Sequence, residues 1–138
     1  MVGKREEILA DIAATLSSLG DASVIRRASF PDPSEFEDVS LPLLYVIDGE
    51  ETFVPEKGRG YWSELGVSVL GVIEDKDTPS TSLNQLLSRV MEALSGDITR
   101  GGFSVSTEFV RVRISPEFKY PYAGFILELK VLYLEEAL

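Results

Sequence analysis

Neither cysteine nor histidine occurs in this 138-residue chain. Without cysteine there is no disulfide, no thiolate metal centre and no thiol nucleophile. That composition suits a reducing compartment. Without histidine, the commonest general base and the commonest metal ligand are missing together. A Ser/His/Asp triad is therefore excluded. The glycine patterns that cradle phosphates, GxGxxG and GxxxxGK, are also absent. Their nearest echo, Lys57-Gly58-Arg59-Gly60, has the wrong spacing and leads into a strand instead of a helix. No apolar run approaches the roughly 20 residues that span a bilayer. Met1 to Glu7 is charged and the apolar positions after it are broken by Asp11, so no signal peptide is expected.

Positive charge is also scarce. The chain holds 23 acidic and 13 basic residues, a net charge of −10. Such a field repels nucleic acid and anionic membrane, and favours partners with basic patches. Apolar residues make up 44%, enough to exclude disorder. The length fits one domain, residues 1–138, able to bury about 68% of the surface its unfolded chain exposes.

The apolar pattern predicts seven elements. Lys4 to Leu19 reads as a helix, with Ile8, Leu9, Ile12, Ala13, Leu16 and Leu19 on one stripe. Gly20 is its stop, and Ser23 to Arg27 a short strand. An irregular acidic stretch with Pro31 and Pro33 follows. Leu41 to Asp48 is a continuous apolar run, expected to be buried on both faces. Gly49 to Gly60 reads as a charged connection, and Tyr61 to Ile73 as the second strand of a hairpin with a long tip. Thr78 and Pro79 open a second helix, capped by Thr78, that carries Leu83, Leu86, Leu87, Val90, Met91 and Leu94 and ends at Gly96. Phe103 to Ile114 is strand-like, but its apolar parity slips, which predicts a bulge near Glu108 to Val110. Ala123 to Leu134 is the last strand. The fold class is α+β: two helices on one face of a four- to five-stranded, mostly antiparallel sheet, in the order α-β-β-β-α-β-β.

Binding is the better use of such residues than catalysis. Asp48, Glu50 and Glu51 follow a buried strand and are the best candidates for a hard cation, although a polar turn has the same composition. No metal, cofactor or catalytic residue is assigned. Arg111 and Arg113 alternate along one strand, as if to pair with acids across the sheet or a subunit boundary. An apolar pair, Phe53 and Val54, sits inside the charged tip and is hard to bury locally. Tyr120 and Tyr122 flank Pro121 in a second loop. The predicted interface residues are therefore Glu50, Glu51, Phe53, Val54, Lys57, Arg59, Tyr120 and Tyr122.

The succession of REEILADIAATLSSLG, SVIRRASF, LPLLYVIDGEE, VSVLGVIEDKDTPSTSLNQLLSRVMEAL and AGFILELKVLY resembles the tail terminator proteins of long-tailed phages, the minor tail protein U-like family. The resemblance covers nearly the whole chain. It is a pattern of elements without a catalytic signature. It implies a homo-hexameric ring on the head-proximal end of the virion tail, assembled in the host cytoplasm. The ring would stop growth of the tail tube and present a surface to the head–tail connector. The partners implied are a second copy of the chain, the tube protein and the connector protein. DNA would pass through the lumen without sequence-specific contact. A domain of this size has a radius of gyration of roughly 14 Å, and six such bodies leave a hole about one subunit wide. Six copies at −10 each would line it with an acidic field that phosphates slide past. Another head–tail joining or tail-completion protein of related fold has the same layout. A non-viral acidic adaptor and a carboxylate-based metal enzyme are the readings from other classes.

Overall fold

The computed structural model describes residues 3–32, 35, 41–55 and 60–135. Seven elements follow in the order α1 (Lys4–Ser17), β1 (Ser23–Arg27), β2 (Leu43–Pro55), β3 (Tyr61–Glu74), α2 (Pro79–Ser95), β4 (Ser106–Ile114) and β5 (Tyr122–Glu135). One five-stranded sheet has the order β1-β2-β3-β5-β4. Only β1·β2 is parallel; the other pairs are antiparallel. The α+β class and the element order are those the sequence pattern predicts.

Both helices cover one face. α1 buries Ile8, Leu9, Ile12 and Leu16, and α2 buries Leu83, Leu86, Val90 and Leu94. They meet Leu44 and Val46 of β2, the odd-numbered apolar residues of β3, and the row Phe125 to Tyr133 of β5. Each fully buried side chain of this kind contributes about 1.5–3 kcal/mol, so α2 is held mainly by its stripe. The opposite face carries a second cluster, Leu43, Tyr45, Ile47, Leu70 and Val72, under Phe118 and Leu41. Leu43 to Ile47 are thus buried on both faces, as a continuous apolar run requires.

Several boundaries differ from expectation, each for a local reason. The stretch after Asp48 is not a loop: β2 runs on to Pro55. Its pairing with β3 slips by one residue between Asp48 and Glu51. A Cβ on Gly49 would lie 2.6 Å from the Gly66 carbonyl oxygen, so the bulge needs glycine at its closest approach. Thr78 makes no side-chain cap. Asp75 instead fixes the turn that leads into the helix, accepting hydrogen bonds from the backbone N–H of Asp77 at 2.8 Å and of Thr78 at 3.0 Å, and from the Ser82 hydroxyl. These contacts, led by Ser82, hold the Asp75 pKa down to about 2. β4 begins at Ser106, after a turn in which Arg100 has a φ of 50°. Arg100 is buried there, donates to the Leu94 carbonyl at 2.6 Å and lies 3.5 Å from Asp11, tying α1 to the end of α2. The predicted bulge in β4 is present, between Phe109 and Arg111.

Candidate assembly surface

The bulges decide what each strand end presents. In a regular strand, Asp48 and Glu51 have opposite parity and face opposite ways. The extra residue puts both on the helix-covered face, opposite Val67 and Leu65. There Arg5 of α1 approaches Asp48 at 3.7 Å and Glu51 at 3.1 Å. The Tyr133 hydroxyl donates to the second Glu51 oxygen at 2.7 Å. Burial, and then this bond to a carboxylate, push the Tyr133 pKa up to about 12. Glu51 is therefore a structural anion with a cation and a donor of its own. Among the described residues no group of three acidic side chains is placed to hold a metal ion. Glu50, at the bulge, stays exposed on the other face.

Beyond the bulge the hairpin projects an apolar tip. Phe53 is 56% exposed and Val54 50%. The Phe53 ring packs edge-on against Tyr61, with centroids 6.2 Å apart, and no other aromatic pair covers it among the described residues. Tyr61 is a tip residue absent from the predicted interface set; only its register position opposite Pro55, which the structure supplies, places it there. Lys57 and Arg59 lie outside the described residues.

Tyr120 and Tyr122 are not part of this tip. Glu74 of β3 pairs with Tyr122, whereas Tyr61 pairs with Glu135. At about 3.3 Å per residue, the two ends of β3 are about 40 Å apart. Tyr120 is 69% exposed, and its hydroxyl donates to the Lys76 carbonyl at 2.6 Å. Tyr122 is half-buried at the start of β5. The predicted interface residues that are described thus fall in two separate places, Glu50 to Val54 on the hairpin and Tyr120 and Tyr122 at the other end of the sheet.

β4 is a second uncovered surface. α2 packs on β3 and β5 and leaves β4 bare at the sheet edge. Once the bulge is counted, Phe109, Val112 and Ile114 pair with Leu129, Leu127 and Phe125, and so share their helix-side face. All three are exposed, Ile114 at 59%. The other face of β4 carries Glu108, Arg111 and Arg113; both arginines reach Glu128, Arg113 at 3.5 Å. Two guanidiniums thus share one carboxylate at this end of the strand, while Glu108 lies further along, opposite Lys130. Between the two bulges, Glu50, Gly66, Val110, Arg111, Glu128 and Lys130 are among the residues that line a shallow trough of about 360 Å³. No helix of the described residues is long and apolar enough to cross a membrane.

No protein-family model and no curated protein matches this chain. Among solved structures it is similar to a chain of the virion of the native gene transfer agent (GTA) particle. The two share 15% sequence identity and a TM-score of 0.66, over 92% of this chain and 94% of the other. At that identity the likeness shows a shared fold. It covers nearly the whole of both chains.

Proposed function

We propose that this chain is a virion structural protein, and more narrowly a tail terminator. Copies form a ring, with six as the expected number, on the head-proximal end of a tail tube. The ring stops tube growth and offers the head connector its surface. The observation that carries this reading is the end-to-end fold likeness to a chain of a phage-like particle. The element pattern in the sequence and the bare apolar surfaces at the hairpin tip and β4 support it. Asp48 and Glu51, which invited a metal-enzyme reading, are engaged within the chain by Arg5 and Tyr133.

The deciding experiment adds purified protein to tube subunits polymerising on a tail initiator. A terminator stops the tubes at fixed length and appears as a ring on one end. Tubes that grow unchecked, with the protein bound only to the connector, would assign it to head–tail joining.

A further inference from the structure

Among the described residues two sheet edges are open, and they are on opposite sides. β1 pairs with β2 only over Leu43 to Ile47, so beyond the bulge β2 has a free edge. β4 closes the other side, paired only with β5. Open edges of this length are templates for another strand. We propose that copies of this chain join edge to edge: residues 50–54 of β2 in one copy add, antiparallel, to β4 of the next. The proposal deepens the ring reading by naming the contact between neighbours, a second copy of the same chain.

Face and charge select this partner. Glu50 is exposed and makes no ion pair among the described residues, whereas Arg111 and Arg113 share the carboxylate of Glu128. All of these lie on the face away from the helices. If Glu50 stands opposite Arg113, then Thr52 stands opposite Arg111. Counting the bulge residue Val110, Phe53 then stands opposite Phe109 on the helix side. Every pair in that register matches face with face. It joins opposite charges and covers apolar side chains that are now bare. The contact is heterologous, because the two patches differ, so it closes into a ring or runs on as a filament. It also keeps the helices of all copies on the same side of one continuous sheet.

The absence of native cysteine makes the test clean. A Thr52→Cys/Arg111→Cys double variant, oxidised at millimolar concentration, should give a ladder of disulfide-linked multimers that ends at the ring. A control pair, Thr52→Cys/Ser80→Cys, places the second thiol on α2 and should give a several-fold lower yield. In native mass spectrometry, Glu50→Arg and Arg113→Glu should each reduce multimers at least tenfold, and the two combined in one chain should restore them. No ladder, equal yield from the control, or no rescue by the swap overturns the edge pairing. If wild-type rings form and stop tubes while the cysteines fail to link, the pairing falls and the terminator reading stands. If the cysteines link and the swap rescues but tubes grow on, the pairing stands and the terminator reading falls.

Discussion

Arg5 meets Glu51 at 3.1 Å only because β2 carries one extra residue between Asp48 and Glu51. The side chain of Glu51 is nearly buried and that of Arg5 about half exposed, so their coupling is that of a partly screened pair. A double-mutant cycle with Arg5→Gln and Glu51→Gln should give a coupling of about 1 kcal/mol in urea unfolding. A coupling of zero would mean that Tyr133 alone satisfies the carboxylate. Gly49→Ala should cost more, about 2 kcal/mol, because its Cβ meets backbone that cannot turn aside.

Tyr133 sets an alkaline limit on stability. Its folded pKa, about 12, is above the ordinary value of 10.0. A raised folded pKa contributes stability that is fully present below pH 10 and is lost as pH rises toward 12. Wild type should therefore lose midpoint denaturant concentration more steeply than Tyr133→Phe between pH 10 and 12. Parallel curves for the two proteins would remove the hydroxyl from the account.

Asp75 sets the acid limit. Its pKa falls from 3.8 to about 2 in the folded chain. Here the stabilisation is present above pH 3.8 and disappears as pH falls through 2. Asp75→Asn should be less stable than wild type at pH 7 by thermal unfolding, and the gap should close near pH 2. A gap independent of pH would show that Asp75 acts through shape and not through charge.

Much of this architecture is legible in the residues, and the failures share a cause. The α2 stripe and the alternation of β3 and β5 are periodic, so the sequence pattern places them to within a residue or two. The parity slip from Phe109 to Val110 is equally visible, and the bulge is there. Glu50 and Glu51 misled because two acids after a glycine look like a turn. Only the close approach of Gly49 to Gly66, a contact between distant residues, keeps them in a strand. The same holds for the start of α2: Thr78 has the composition of a cap, but the backbone path turns it toward Asp75 and it makes no side-chain cap. For the assembly surface, Phe53 and Val54 stood out because charges surround them. Val112 and Ile114 did not, since an uncovered apolar strand has the same composition as a core strand.

Phe53 tests whether the tip is an assembly element. Its side chain is mostly exposed, so Phe53→Asp should move the unfolding free energy by no more than about 0.5 kcal/mol. It should nevertheless abolish multimers in native mass spectrometry and leave tubes uncapped. Normal assembly by a folded Phe53→Asp protein would make the tip ordinary surface. By contrast, Val90→Asp buries an unpaired charge under α2 and should unfold the domain outright.

The sheet also depends on one glycine covered by an aromatic ring. Gly71 of β3 pairs across the strand with Phe125 of β5, and the Phe125 ring lies over the space a side chain would take. A Cβ at Gly71 would sit 2.3 Å from that ring, which is fully buried beneath the helices and has nowhere to go. Gly71→Ala should therefore cost about 1–3 kcal/mol through overpacking. Gly3 is the comparison: its φ of −73° suits any residue and nothing lies within 4 Å of its Cβ position. Gly3→Ala should change stability by no more than about 0.5 kcal/mol, because the entropy gained in the unfolded chain is set against the poorer fit of alanine at the start of α1. Combining Gly71→Ala with Phe125→Leu should recover part of the loss, because the smaller side chain vacates the space. Full additivity of the two changes would show that the ring and the glycine do not share it.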